Sequence, residues 1–143
     1  MAIAGPLGNF AIALIAFLAL RALLAGGVLE APYPHASFER LAVAPEGTAS
    51  NSPLVPLAMM LSVALSLNVL LGLFNLIPLP PLDGAGVLQG LFPDSVGRFL
   101  ENLQTQPMFG LLGLLLAWRL FGRIAGPAFG ILVHLVHPDL LSG

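Results

Sequence analysis

Long apolar stretches alternate with short polar ones along the chain, a pattern typical of a protein that crosses a membrane several times. A helix needs about 20 mostly apolar residues to cross the hydrocarbon layer. The pattern predicts spans over residues 7–27, 53–74 and 107–121, followed by a shorter helix over 124–137. The predicted fold class is an all-α integral membrane protein: about three transmembrane helices plus a shorter C-terminal helix, in a single membrane domain over 1–143.

Two polar segments separate the predicted spans. Residues 30–52 hold three of the seven acidic residues, one of the five arginines and several prolines. They predict a loop outside the membrane, and the acidic character favours the non-cytoplasmic side, because cytoplasmic loops are enriched in Lys and Arg. Residues 92–106 are polar again, and their apolar residues recur at helical spacing, which predicts a short interfacial helix over 95–105.

A cluster of prolines interrupts the apolar pattern at 75–83. Pro78, Pro80 and Pro81 each lack an amide donor and disfavour helical backbone in the residue before them. A regular helix cannot pass through this segment, yet apolar residues continue beyond it and predict a further helix over 84–91. Irregular backbone at membrane depth is tolerated only where it is buried in protein or lines a watery cavity. The broken segment is therefore the most informative feature of the sequence.

Composition supports the membrane assignment and excludes other classes. The 143 residues are 57% hydrophobic and only 8% charged, with a mean hydropathy of +0.95, whereas a soluble domain carries about 25% charged residues. The chain has no lysine and a net charge of −2, so it has no basic patch for nucleic acid. Cysteine is absent, which excludes disulfides and thiolate metal sites. The partner that the composition does predict is the lipid bilayer.

Asp83 and Asn75, at the two ends of the broken segment, are the candidate site residues. A carboxylate in an apolar span costs about 2.5–3.5 kcal/mol to insert and is kept where it pairs, binds a cation or lines a polar cavity. Alternatively, Asp83 caps the helix that follows, because Asp is a good N-cap residue. The Asn75 amide is predicted to hydrogen-bond an extended peptide or to hold the unwound segment, and a contact between helices is the alternative.

Histidines near the C-terminus form a weaker candidate. His134 and His137 are three residues apart, with Asp139 beyond them, and two imidazoles at that spacing can share a metal ion. Pro138 follows directly, however, so the pair stands where a helix is predicted to end. The favoured interpretation is a helix terminus at the interface. His35 lies among prolines in the polar loop and is predicted to be solvated.

Small and hydroxyl residues in the spans have structural interpretations. Gly122, Gly126 and Gly130 form a small-xxx-small series, which predicts either a helix contact face or a loosened turn between two helices. Ser62 and Ser66 lack a neighbouring base in sequence and are predicted to return hydrogen bonds to the preceding helical turn.

Two sequence blocks resemble the site-2 protease family of intramembrane zinc metalloproteases. Residues 74–84 read Phe-Asn-Leu-Ile-Pro-Leu-Pro-Pro-Leu-Asp-Gly, similar to the family signature Asn-x-x-Pro-x-x-x-Leu-Asp-Gly. Residues 4–9 read Ala-Gly-Pro-Leu-Gly-Asn and resemble the Ala-Gly-Pro-x-x-Asn start of the helix before it. Their order, separation and hydropathy match as well, so the resemblance extends over essentially the whole chain. The block at 74–84 is fairly specific, whereas Ala-Gly-Pro alone would be a weak signal.

The resemblance implies a reaction and roles for both candidate residues. In this family, two His from a His-Glu-x-x-His helix and the Asp of Leu-Asp-Gly bind one Zn²⁺ within the membrane, and the Glu activates water that hydrolyses a transmembrane substrate. By position, Asp83 is implied to be the third zinc ligand. Asn75 is implied to position the substrate or the reaction intermediate, and the broken segment to admit an unwound substrate.

The sequence departs from the family pattern in two places. None of the 143 residues forms a His-Glu-x-x-His, which in the family lies upstream of Ala-Gly-Pro. We therefore expect a partial chain that is inactive alone and does not retain Zn²⁺. The family's frequent Leu-Asp-Gly-Gly-Arg is replaced after Asp83 by Gly-Ala-Gly, so a helix arginine is missing.

Three hypotheses remain at this point. One is a partial site-2 protease acting on transmembrane proteins, and a second is a non-catalytic relative that binds membrane partners. A small transporter or channel subunit that uses Asp83 is the third. The expected location is the inner membrane of a bacterium.

Overall fold

The computed structural model describes residues 3–104 and 107–138 and forms helices over most of them. In chain order, the helices are α1 (Ala4–Ala25), α2 (Leu54–Asn75), α3 (Asp83–Leu91), α4 (Arg98–Gln104) and α5 (Pro107–Val136). A single π-helical turn over Pro93–Gly97 precedes α4. No strand forms among the described residues, where the only β-type pairings are two isolated bridges, Glu30 with Val43 and Ser37 with Arg40.

Three of these helices are long and apolar enough to cross a membrane: Ala4–Ala25, Leu54–Asn75 and Met108–Val136. The two 22-residue helices are each about 33 Å long, enough for a hydrocarbon layer of about 30 Å. The predicted fold class, an all-α membrane protein with about three spans and a proline-broken segment after the second, is confirmed.

The C-terminal half of the chain differs from the prediction in one respect. Residues 124–137 do not form a separate short helix, because α5 continues without interruption through Gly122 and Pro127. A proline inside a helix removes one amide donor, and membrane helices tolerate that loss where neighbouring groups satisfy the freed carbonyl. The shorter helices of the structure are instead α3 and α4, which follow the break.

The described chain divides into two compact units, and α1, α2 and α5 each contribute to both. One unit comprises Ala11–Val69 and Pro127–Gly143, and we call it the loop unit because it contains the polar loop. Its core is built from small and branched apolar side chains spaced three and four residues apart along the helices. The buried core residues are Ala13, Ala16, Leu20, Leu29, Leu41, Ala42, Ala58, Leu65, Leu132 and Val136.

The polar loop is tied to the core of the loop unit by hydrogen bonds. The amides of Leu41 and Ala42 donate to Ser62 Oγ at 3.1 and 3.3 Å, and Ser62 Oγ donates to the Ala58 carbonyl at 2.7 Å. Ser62 therefore returns a hydrogen bond to the preceding turn, as predicted, and also binds the loop. The loop is partly a structural element, because Leu41 is fully buried.

The other unit comprises Met1–Phe10 and Leu70–Gly126, and we call it the break unit because it contains the proline-broken segment. Aromatic rings pack α2 against α5 here: Phe74 makes edge-on contacts with Trp118 and Phe121, at centroid distances of 6.5 and 5.2 Å. The first turns of α1 also belong to this unit, since the Phe10 ring contacts Gly72 of α2 so closely that a Cβ at Gly72 would lie 2.8 Å from it.

Candidate functional site

Successive tight turns replace helix between α2 and α3. The amide of Ile77 donates to the Phe74 carbonyl at 3.1 Å, that of Leu79 to Ile77 at 2.8 Å, and that of Leu82 to Leu79 at 2.9 Å. The three prolines of the segment have no amide to donate, so no regular ladder forms. Ile77 is buried and anchors the segment in the break unit. The irregular backbone predicted at this position is what the structure contains.

Asp83 is the first residue of α3, and its side chain is half-buried. Leu82 occupies the N-cap position in an extended conformation, and no side chain caps the helix. The capping interpretation of Asp83 is therefore wrong, because Leu82 is the last extended residue and Asp83 is already the first helical one. A negative charge in the first turn is still favoured by the helix dipole. No hydrogen bond joins the Asp83 carboxylate to another described residue, so its oxygens remain available to a ligand.

The beginning of α1 lies directly against this carboxylate. A Cβ added to Gly5 would overlap Asp83 Oδ2 and lie 3.5 Å from Asp83 Cγ. The next residue, Pro6, is fully buried, which fixes the first turn of α1 in the break unit. Ala-Gly-Pro and Leu-Asp-Gly are 78 positions apart in sequence, yet Gly5 of the first lies against the Asp83 carboxylate of the second. The absence of a side chain at position 5 permits that contact.

Asn75 is the last residue of α2 and is half-buried. Its side-chain amide makes no hydrogen bond within the described part of the chain. The two candidate residues therefore stand at the two ends of the broken segment, Asn75 where α2 stops and Asp83 where α3 begins. Each is partly exposed and keeps free polar atoms, as a group that binds something outside the chain requires.

Two further glycines allow the broken segment to pack closely against α3 and α5. Gly84 is buried, and a Cβ there would overlap the carbonyl oxygens of Leu76 and Ile77. Gly113 of α5 is buried too, and a Cβ there would overlap the carbonyl oxygen of Pro80. Both contacts are with backbone, which cannot rotate away as a side chain can. The turn before Asp83 is thus held between α3 and α5.

The histidines belong to the loop unit and not to this site. His134 is exposed, whereas His137 is buried and its Nε2 lies 2.5 Å from the Leu41 carbonyl. A carbonyl only accepts, so Nε2 is the donor in this bond and is not free for a metal ion. Asp139, the third group of that candidate, lies outside the described residues.

The described residues do not provide enough metal-ligating side chains at Asp83 to hold a zinc ion by themselves. Over residues 3–104 and 107–138, no three His, Cys, Asp or Glu side chains are close enough together to hold a metal. Catalytic zinc takes three protein ligands and one water. Asp83 offers one carboxylate, so a zinc ion at this position needs donors from outside the described residues.

Gly113 is the site-forming residue that sequence reasoning missed. Its role depends on contact with Pro80, more than thirty residues earlier, and nothing in the local pattern marks it among the several glycines of α5. Its neighbour Gly110 has nothing within 4 Å of an added Cβ. Gly113 and Ala117 are small residues four positions apart, and both are buried. The spacing is visible in the sequence, but only the structure shows that this pair, and not the other glycines of α5, faces the interior.

The fold and the site define an integral membrane protein with a free carboxylate at a proline-rich break between helices. The sequence model of peptidase family M50 matches residues 1–120. The chain belongs to this family, that of the site-2 proteases, and the predicted resemblance is confirmed.

A curated relative gives the same assignment. The protein named "Putative zinc metalloprotease YwhC" of Bacillus subtilis (strain 168) is 35% identical over 96 residues, which are 67% of this chain and 35% of that protein. The chain thus spans about a third of the length of this relative. No solved structure matches the chain.

Proposed function

We propose that this chain is the part of a bacterial intramembrane zinc metalloprotease that supplies Asp83 as one metal ligand and Asn75 as a substrate-positioning group. The observation that carries the proposal is the contact between Gly5 and the Asp83 carboxylate, because it joins the two sequence blocks that the family shares. The half-burial of both site residues and their free polar atoms support it. The proposed location is the inner membrane of a bacterium.

The chain's own residues would act by position. Helix α2 ends at Asn75 and α3 begins at Asp83, so the two polar side chains flank the irregular backbone between these helices. An amide such as that of Asn75 both donates and accepts hydrogen bonds, which suits it to hold the backbone of an unwound transmembrane substrate. The remaining ligands and the general base are proposed to come from a His-Glu-x-x-His segment outside these 143 residues.

The genomic DNA upstream of the Met1 codon provides the first test. An in-frame His-Glu-x-x-His within roughly one helix length of about 20 residues supports the proposal. A stop codon or a promoter immediately before Met1 would instead favour a non-catalytic relative that binds membrane partners.

The second test concerns Asp83 itself in the longer reading frame. Asp83→Asn is expected to lower zinc affinity by at least about 100-fold, because loss of a ligand exceeds the 10–100-fold cost of losing an outer-shell partner. Asp94→Asn is the matched control, since Asp94 is an exposed carboxylate in the same unit. Equal zinc retention in both variants, measured by elemental analysis of detergent-purified protein, would contradict the proposed ligand role.

A further inference from the structure

Two arginines lie near the middle of α5, the longest apolar helix. Arg119 and Arg123 are the 13th and 17th of its 30 residues, so they lie about 18 and 24 Å from its first residue along an axis about 45 Å long. If the helix is centred on a hydrocarbon layer of about 30 Å, their backbone lies about 10 Å or more inside that layer. Charged groups at this depth are costly unless they meet a partner.

No partner for either guanidinium is found within the described chain. Both side chains are exposed, and no hydrogen bond or ion pair joins them to residues 3–104 or 107–138. Arginines near helix ends usually reach the headgroups by extending along the helix, as long basic side chains do at the interface. Arg119 and Arg123 lie near the middle of α5, so their guanidinium groups are too far from the headgroups to reach them easily. A negatively charged partner within the hydrocarbon layer would stabilise them better.

Small residues beside the two arginines leave room for a second transmembrane helix to pack against α5. Arg119 is three residues before Gly122 and four before Arg123, and Gly126 is four and three residues after them, so all four lie on one face of α5. A Cβ added to either glycine would have nothing within 4 Å. We call these four residues the arginine–glycine face. Small residues let a second helix approach closely in a membrane, where van der Waals packing and hydrogen bonds between helices favour association.

We propose that the arginine–glycine face of α5 docks a transmembrane helix that carries a carboxylate near its middle. A carboxylate pairs with a guanidinium by two parallel hydrogen bonds, and the two glycines leave room for the helix that presents it. A second copy of this chain in a symmetric contact would bring four cations together, so the charge disfavours it. Anionic lipid is disfavoured by the depth of the arginines. The proposal is independent of zinc binding and of proteolysis.

A reconstituted system tests the docking directly. The probe is a leucine-rich transmembrane peptide of about 20 apolar residues with a single Glu at its midpoint, and its matched forms carry Gln or Lys instead. The chain has no cysteine, so Ala49→Cys in the exposed part of the loop gives one labelling site for energy transfer in phosphatidylcholine vesicles. The Glu peptide is expected to associate about tenfold more tightly than the Gln peptide, the size of one strong polar contact between membrane helices.

Variants of the face separate charge from shape. Arg119→Leu with Arg123→Leu is expected to abolish the preference for Glu, whereas Arg40→Leu, an exposed loop arginine, leaves it intact. Gly122→Leu and Gly126→Leu should each weaken association by blocking the approach. Gly110→Leu is the matched control, because Gly110 lies nine residues before Arg119, about two and a half turns away and so on the opposite side of α5.

Three outcomes would overturn the proposal. The first is equal binding of the Glu and Gln peptides to the unmodified chain. The second is loss of the Glu preference when phosphatidylglycerol is added, with the arginines then binding lipid phosphate. The third is energy transfer between copies of the chain that depends on Arg119 and Arg123.

Discussion

At the residue scale, the contact between Gly5 and Asp83 shows how a missing side chain shapes a site. The only atoms near an added Cβ at Gly5 belong to the Asp83 carboxyl group. Asp83 is therefore in contact with α1 on one side, and its side chain is half-buried. Hydropathy and composition could single out Asp83, because a lone carboxylate in an apolar region is conspicuous. They could not reveal which residue it touches, since that contact joins positions far apart in sequence.

Gly5→Ala is predicted to force the Asp83 side chain from its preferred rotamer, at a cost of about 0.5–1.5 kcal/mol in the free energy of unfolding. Unfolding in mixed detergent micelles measures this cost. Gly8→Ala is the control, because nothing lies within 4 Å of a Cβ there. In an Asp83→Ala background the cost should disappear, and an equal loss in that background would show that Gly5 acts through some other contact.

Two serines of α2 allow a second comparison at this scale. Ser62 and Ser66 are both fully buried, but Ser62 Oγ accepts two loop amides whereas Ser66 Oγ has no hydrogen-bond partner. Ser62→Ala leaves buried donors unsatisfied and is predicted to cost about 1–3 kcal/mol. Ser66→Ala removes an unpaired hydroxyl and is predicted to be neutral or stabilising. Equal unfolding free energies for the two variants would contradict this account of the loop contact.

At the element scale, the break between α2 and α3 was predictable and its packing was not. Three prolines in four residues exclude a helix by local chemistry alone, so the end of α2 and the restart near Asp83 could be expected from the sequence. The continuity of α5 could not, because whether Pro127 ends a helix depends on what surrounds the freed carbonyl. The burial of Leu41 within a polar loop depends in the same way on a partner, Ser62, twenty-one residues later.

Gly113→Ala is predicted to destabilise the break unit by about 1–3 kcal/mol, the usual cost of overpacking. The added methyl group would meet the backbone oxygen of Pro80, which cannot move without shifting the turn before Asp83. Gly110→Ala, three residues earlier on the same helix, is the control and should gain slightly from better helix propensity. If Gly110→Ala lowered the thermal midpoint as much as Gly113→Ala, close packing on Pro80 would not be the cause.

At the scale of the whole molecule, the chain combines a family assignment with an incomplete donor set. Its match to peptidase family M50 extends over residues 1–120, yet the described residues contain no group of three His, Cys, Asp or Glu side chains that could hold a metal ion. Hydropathy predicted the three spans because membrane insertion depends on composition averaged over a helix. The site depends on contacts between individual atoms of segments far apart in sequence, and hydropathy averaged over a helix carries no information about such contacts.

The purified 143-residue chain is predicted to hold less than about 0.1 equivalents of Zn²⁺ after dialysis in detergent, because catalytic zinc takes three protein ligands. Elemental analysis is the measurement. About one tightly bound zinc per chain would contradict the prediction. His134→Ala would then show whether the C-terminal histidines are responsible, since this exposed side chain can be removed without disturbing the bond from His137 to Leu41.

The anchored loop has a practical consequence for mapping membrane topology. Reporter domains are commonly inserted into loops, on the assumption that any polar loop tolerates them. Here an insertion next to Leu41 would separate two amides from Ser62. Gly47, by contrast, is exposed, has a positive φ of 83°, and would have nothing within 4 Å of an added Cβ. A reporter inserted at Gly47 is therefore expected to give the membrane orientation of the folded protein. A reporter inserted at Leu41 would give the orientation of a protein whose loop contacts are broken.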